Sequence, residues 1–472
     1  MTKETELKLR LSPDHVPALV TFLNATARPL SHSTLKNWYL DTPEAGLSAA
    51  RAALRIRQKA NGYEQTLKTR GTSLAGLQLR GEWNWPLSEP VLNTVVLQSA
   101  EVAAAWPAGL DMSRLGEVFT THFERQAFEW QAFGGTAEVV IDQGEVCAGA
   151  QKLPLCEVEL ELKDGDAVCL WRMAQELAGT VPLWLSDISK AERGYRLAKL
   201  SRPWHQRTDT NEQDDLSVAL PALLHYEFLH LKRALEACLW EGDRAAALRA
   251  RRHWQALRSL PQLAGKAVKR AQTRDLRAAL DRWEQPLLTL ATLAQLNAYL
   301  RSADDDTLVA GELQALDRRW QAAVQATRGD SALASAMLNA AYALYSLEAG
   351  KSAGEPLGHW LRHLLRAHGP LLDELKSRRP QEEERWRGLA HEMALLQQCA
   401  DYAQDLPGVA RGLGIAGGGI GDGVVRVLSD MLGAQTLLVR PSPLADAAEP
   451  LRPLTEYTEW ALEHLKHLAR QI

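Results

Sequence analysis

The sequence predicts two folding units of different class: an α+β unit dominated by antiparallel strands, then an all-α helical-bundle unit. Three observations predict them. Through the first 200 residues, apolar and polar side chains alternate in several short runs, the period of a strand with two unlike faces. After about residue 216 the apolar residues recur at three- and four-residue spacing, the period of a helix with one buried face. Between the two, Ser201 to Asp215 is polar, contains Pro203 and lacks apolar periodicity, as a linker does. The boundaries that follow are 1–200 for the strand-rich unit, 201–216 for the linker and 217–472 for the helical unit. A chain of 472 residues is in any case too long for one ordinary core.

In chain order, alternation predicts strands at 3–11, 35–40, 51–59, 63–70, 77–86, 122–131, 136–142 and 154–163. Two helices are expected among them. One starts at Ser12-Pro13-Asp14, where Ser12 can cap and Pro13 suits a first turn. The other starts near Asp166 and carries Val168, Leu170, Trp171, Ala174 and Leu177 on one face. The second unit predicts helices at 217–240, 243–259, 273–300, 308–327, 331–348, 355–377, 382–405 and 424–432, with loops short enough for antiparallel neighbours. Gly412 to Gly417 matches a dinucleotide fingerprint by letter, but no strand precedes it, so it reads as an interhelical loop.

Composition bounds the function. With 46% hydrophobic and 24% charged residues the chain is of the globular class. No run approaches the roughly 18 apolar residues of a membrane span, and Met1 to Glu4 leads into charged strand, so a cytoplasmic protein without a membrane partner is expected. Five cysteines without a Cys-x-x-Cys pair fit reduced thiols and not zinc or disulfides. The net charge of −4 hides a basic segment: residues 230–282 hold thirteen Lys or Arg against five Asp or Glu. Nucleic acid is not expected as a partner.

The strands carry the chemistry. Glu4, Glu6, Lys8 and Arg10 share one face of the first strand, and Leu7, Leu9 and Leu11 the other. Arg55, Arg57 and Lys59 alternate with Leu54 and Ile56, Lys68 follows Leu67, and Arg80 and Glu82 alternate with Leu79 and Trp83. Glu157, Glu159, Glu161 and Lys163 alternate with Val158, Leu160 and Leu162. A solvated face explains any one such strand. Five together, with one set nearly all cationic and another triply anionic, point to a charged interior if the sheet closes, with the apolar faces packed outward against helices.

Two unit charges about 4 Å apart interact by roughly 4 kcal/mol at an effective dielectric near 20, so clustered carboxylates call for a counter-cation. Oxygen donors select hard ions such as Mg²⁺, Mn²⁺ or Ca²⁺. Guanidinium forks match phosphate oxygens. Carboxylates for metal together with Arg and Lys for phosphate form the constellation of phosphoryl transfer.

These residues resemble the CYTH domain, or triphosphate tunnel metalloenzymes, whose mark is an initial Glu-x-Glu-x-Lys strand, here Glu4-Thr5-Glu6-Leu7-Lys8. The likeness runs through Trp38 to Thr42, Leu54 to Arg57, Thr66 to Lys68, Arg80 to Glu82, Arg125, Ile141 to Gly144, Glu157 to Glu161 and Ser189 to Ala191. The resemblance implies an antiparallel β-barrel tunnel binding a linear triphosphate through Lys8, Arg55, Arg57, Lys68, Arg80, Arg125 and Lys190. It implies Mg²⁺ or Mn²⁺ held by Glu4, Glu6, Glu159 and Glu161, with Glu157 a further candidate. Glu82 and Asp142 fall at acidic positions of the family and join the candidate catalytic set.

Related domains act on tripolyphosphate, thiamine triphosphate, RNA 5′-triphosphate or, as cyclases, on ATP. A CYTH domain followed by about 250 helical residues looks like the bacterial inorganic triphosphatases, whose second domain is of the CHAD type, associated with polyphosphate. The expectation is hydrolysis of tripolyphosphate to pyrophosphate and phosphate. A polyphosphate- or nucleotide-binding protein with little turnover is the alternative from another class.

In the helical unit the basic stripe comprises Arg244, Arg249, Arg251, Arg252, His253, Arg258, Lys266, Lys269, Arg270, Arg274 and Arg277. Its spacing departs from the CHAD pattern, and a solvated helix face explains it as well as a polyphosphate groove does. His359 and His363 lie one turn apart without an evident third metal ligand.

Overall fold

In a computed structural model of the chain, residues 2–69, 71–201, 210–268, 270–302, 306–348 and 354–367 are described, together with Tyr402 and Leu406. The expected helices at 382–405 and 424–432, the end of that at 355–377, the glycine-rich 412–423 and most of the linker lie outside the described residues. The chain divides into two compact units, Met1–His205 and Gln206–Ile472.

The first unit runs β1 (Thr2–Arg10), α1 (Val16–Thr26), β2 (Arg28–Asp41), α2 (Gly46–Ala49), β3 (Ala53–Lys59), β4 (Gly62–Lys68), β5 (Thr72–Leu74), β6 (Leu77–Leu87), α3 (Thr94–Leu97), α4 (Ala100–Ala103), β7 (Gly116–Ala132), β8 (Gly135–Ala148), β9 (Gln151–Asp164), α5 (Val168–Ala178), β10 (Trp184–Leu185) and α6 (Lys190–Leu197). The sheet is antiparallel, in the order β10-β1-β9-β8-β7-β2-β3-β4-β6-β5, and β1 also pairs with β6. That last pairing closes eight strands into a barrel, with β10 and β5 as short additions to β1 and β6.

Closure explains why the strands are apolar on one face and charged on the other. The apolar faces point outward under helices: α5 packs on β1, β8 and β9, and α1 on β2. Leu40, Leu54, Ile56, Leu67 and Trp83 form one core with Leu97 of α3 and Val102 of α4. The charged faces line the interior, where Glu6, Lys8, Arg57, Asp142 and Glu157 are all buried. Register sets neighbours on the same side of the wall: Lys8 opposite Glu159, Glu6 opposite Glu161, Arg125 opposite Asp142, Asp142 opposite Glu157, and Lys68 opposite Glu82.

Several expectations are corrected. Strands β2, β7 and β8 extend well beyond 35–40, 122–131 and 136–142; in β2 nearly all the added residues are exposed, Leu30 included, so they show no alternation of buried and exposed faces. Ser12 makes no side-chain cap, and Pro13–His15 form a 3₁₀ turn ahead of α1. More than two helices interrupt the strands, α6 being the consequential one.

The second unit contains α7 (Leu216–Trp240), α8 (Ala245–Leu263), α9 (Arg274–Asp281), α10 (Glu284–Ser302), α11 (Asp306–Arg328), α12 (Ser331–Tyr345) and α13 (Leu357–Ala367). Asp215 caps α7 through Ser217 N at 2.9 Å, and Asp330 caps α12 through Ala332 N at 2.8 Å. The single helix expected at 273–300 is broken between Asp281 and Glu284, where Trp283 is buried. The packed pairs are α7 with α8, α8 with α10, α10 with α11, and α9 with α12. No helix among the described residues is long and apolar enough to cross a membrane.

Candidate functional site

The interior of the barrel sorts its charges into three groups. The first surrounds Lys190, at the start of α6. Ser189 caps this helix by accepting from Glu192 N at 3.1 Å, and the cap places Lys190 against β8 and β9. Its Nζ lies 2.6 Å from Asp142 and 3.1 Å from Glu159, and it also pairs with Glu157. Arg125 completes the group with two 2.7 Å hydrogen bonds to Asp142 and a third, 3.1 Å, to Glu159. Arg193, one turn along α6, takes the second oxygen of Glu157.

Burial disfavours each of these charges, yet they hold one another charged. Asp142 lies below its ordinary value because Lys190 and Arg125 outweigh burial, and Glu159 lies well below because Lys190, Lys8 and Arg125 do. Lys190 and Arg125 are raised in turn by these carboxylates.

The second group gathers three carboxylates, Glu4, Glu6 and Glu82, around shared lysines. Lys68 Nζ sits 2.6 Å from Glu4 and 3.1 Å from Glu82. Lys8 sits 3.6 Å from Glu6 and 3.1 Å from Glu159. Glu4 is nevertheless pushed up to about 7, by burial first and then by Glu6 and Glu82, against the pull of Lys68. Arg80 faces Glu4 across β6 and helps to hold Glu6 low, where burial opposes and Lys8 contributes most. Glu82 is brought down to about 2, since Lys68 and Arg55 outweigh burial and Asn84 donates to it at 3.0 Å.

The third group is cationic. Arg55 and Arg57 stand on β3 with the same face inward and form no ion pair among the described residues. Arg57 Nε donates to Asn37 Oδ1 at 2.8 Å, and Asn37 Nδ2 donates to Thr121 Oγ1 at 2.9 Å. Burial, Arg55 and Arg125 together push Arg57 down to about 9, the mark of a positive field with too little negative charge near it.

Beyond Arg125 on the same strand face, Leu35, Phe123 and Leu155 cluster inside the barrel, and Lys190 Nζ lies 5.2 Å from the Phe123 ring centre. Tyr39 stacks on Phe119 at 4.5 Å, Tyr195 of α6 meets Phe119 edge-on at 5.1 Å, and its hydroxyl donates to Asp41 at 2.8 Å. Gly194 makes that seat possible: a Cβ there would lie 2.0 Å from the Phe119 ring, which Tyr39 and Tyr195 hold in place. Gly194→Ala is therefore expected to destabilise the unit by about 1–3 kcal/mol, read as a lowered Tm.

The residues expected from sequence are thus not one uniform set. Lys8, Glu6, Glu4, Lys68, Glu82, Arg125, Asp142, Glu157, Glu159 and Lys190 meet in the interior, and Arg55 and Arg57 face them. Glu161 is drawn instead to Lys163 at 2.8 Å, and Glu157 is occupied by Lys190 and Arg193. Asp142, Glu157 and Glu159 are the group with metal-ligand spacing among the described residues, and all three already bind side-chain cations. The pattern reading missed Asn37, Thr121 and Arg193. The first two carry no charge to flag them; Arg193 was marked by the capping box Ser189-x-x-Glu192 that starts its helix.

In the helical unit, Arg244 pairs with Asp317, Arg249 with Asp243, Arg258 with Asp281 and Glu284, and Arg274 with Asp275. His359 Nδ1 lies 3.0 Å from Glu355 and is exposed. A buried Glu227 bridges His253, at 2.7 Å, and Tyr402. Burial pushes Glu227 up to about 7 and His253 well below its ordinary value.

Residues 2–195 match the CYTH domain family. The chain is 36% identical over 200 residues to an inorganic triphosphatase of Haemophilus influenzae, the match covering 42% of this chain and 55% of that one. It thus spans about half the length of that relative. Among solved structures, a candidate adenylyl cyclase of Hippeastrum, described as revealing a dominant triphosphatase activity, is 23% identical over 41% of this chain and 95% of that one, with a TM-score of 0.33. A candidate adenylate cyclase of Bacillus halodurans is 19% identical over 44% and 96%, with a TM-score of 0.24.

Proposed function

We propose that the barrel is a divalent-metal-dependent inorganic triphosphatase, hydrolysing tripolyphosphate to pyrophosphate and phosphate. The observation that carries this is one closed interior in which Arg55 and Arg57 form no ion pair among the described residues, while three carboxylates, Glu4, Glu6 and Glu82, share Lys8 and Lys68. A polyanion answers the first and a hard cation the second. The 36% identity to an inorganic triphosphatase supports the choice of substrate.

The donor set fits Mg²⁺ or Mn²⁺. Glu4 is held up to about 7 by burial first and then by the charges of Glu6 and Glu82, and a divalent ion beside these oxygen donors would favour its charged form. Glu4 and Glu6, with Glu159 beside them across β1 and β9, would hold the ion; Asp142 and Glu157 are taken by Lys190, Arg125 and Arg193. The bound ion would neutralise phosphate oxygens and orient the attacking water.

The chain's own residues do the rest. Arg55 and Arg57 take phosphate oxygens in their guanidinium forks, and Lys8, Lys68 and Arg80 add charge from β1, β4 and β6. Water adds to the terminal phosphorus, the P–O–P bond breaks, and the charge developing on departing pyrophosphate is met by cations already in place. Asp142 and Glu157 hold Lys190 and Arg125 so that these side chains need not reorganise.

For the helical unit, the corresponding proposal is a CHAD-type domain. The ion pairs made by Arg244, Arg249, Arg258 and Arg274 weigh against a polyphosphate groove along that stripe.

Phosphate release from tripolyphosphate, ATP and thiamine triphosphate, each with Mg²⁺ or Mn²⁺ and with chelator, tests the reading. Tripolyphosphate should be cleaved fastest, and chelation should stop it. Equal or faster cleavage of ATP overturns the substrate, and turnover undiminished by chelator overturns the metal.

A further inference from the structure

Two interior arginines have opposite fates. Arg125 is cancelled: both oxygens of Asp142 face it at 2.7 Å. Arg57 is clamped and left uncancelled. Its partner is Asn37, fully buried, directly opposite it on β2 and opposite Thr121 on β7. A guanidinium only donates, so the atom of Asn37 that faces Nε is its oxygen, and its amide nitrogen is thereby turned to Thr121 Oγ1. The chain Thr121–Asn37–Arg57 uses the Nε–H of the guanidinium, and its two terminal amino groups have no side-chain partner among the described residues.

Burying an uncancelled guanidinium is costly. An aspartate at position 37 would remove that cost at almost no change in shape. The amide keeps the orientation and declines the charge.

We propose that Asn37 is a positioning residue and a determinant of affinity. It holds Arg57 aimed into the barrel with its charge intact, so that a phosphate group of the substrate is the first anion Arg57 meets. Thr121 fixes which way the amide faces. The inference rests on the triphosphatase reading and adds to it how the cationic wall is kept available.

The test measures tripolyphosphate binding by calorimetry in chelator, where no turnover occurs, and then KM and kcat with Mg²⁺, on the full chain. Asn37→Asp should weaken binding by about tenfold or more, because the new carboxylate pairs with Arg57; KM should rise with kcat changed far less. Asn37→Ala loses the orientation and keeps the charge, so its loss should be smaller, about threefold. Thr121→Val, nearly isosteric, should resemble Asn37→Ala.

The deciding measurement is the double variant. If Asn37 acts through Arg57, Asn37→Ala combined with Arg57→Ala binds no worse than Arg57→Ala alone. Losses that multiply overturn the inference, as does an Asn37→Asp protein that binds like the parent. A parent protein that neither binds nor cleaves tripolyphosphate overturns the function itself, so the two failures are distinguishable.

Discussion

Lys190→Ala should destabilise the barrel unit by about 3–5 kcal/mol, the typical consequence of leaving buried charges without their partner. Asp142 and Glu157 are fully buried, and Lys190 touches both as well as Glu159. Arg125 and Arg193 remain, but neither spans the three carboxylates. The loss should depend on pH in a stated direction. Asp142 is held below its unfolded value, so it contributes stability that is complete above about 3.9 and is lost as pH falls through the folded value. Without Lys190 that depression shrinks. The gap in stability between variant and parent should be widest near neutral pH and narrow below about 4, checked by calorimetry at both. A gap independent of pH would mean that Lys190 acts by packing alone.

Glu6→Gln should lower kcat for tripolyphosphate by roughly a hundredfold to a thousandfold, the range seen when one preorganised electrostatic group is removed from a site. Glu6 is buried beside Lys8, at 3.6 Å, within the fields of Glu4 and Glu159, and the amide keeps its volume while removing the charge that a divalent ion requires. Raising Mg²⁺ or Mn²⁺ should recover part of the rate if Glu6 contributes to ion affinity. A Gln variant with the parent's rate and the parent's metal requirement would place the ion elsewhere in the barrel.

Much of this was legible because a closed sheet writes its plan into alternate residues. Glu4, Glu6 and Lys8 against Leu7 and Leu9 announce two buried faces of opposite chemistry, and the break in period near 216 announces the change to helices. What stayed hidden had physical causes. The added length of β2 runs from Arg28 to Thr34, nearly all of it exposed, so it shows no contrast between faces. The break before α10 is marked by Pro286 in the first turn of the new helix, a signal masked because the apolar spacing runs on through Trp283. The division of carboxylates between those holding side-chain cations and those short of cations is a matter of register between strands up to 150 residues apart, which no local spacing encodes.

The pairing of β1 with both β6 and β9 also orders events in time. The strand made first can complete its hydrogen bonds only when Glu157 to Glu161 have been synthesised. At roughly 5–20 residues per second, that is a wait of about eight to thirty seconds for a nascent chain with an open sheet edge. Such an edge is a template for aggregation, and charge on alternate positions is a standard protection against it. Glu4, Glu6, Lys8 and Arg10 therefore serve twice in the life of the molecule. Before closure they keep an unpaired strand in water, and after closure the same side chains are carried into the interior and become its chemistry.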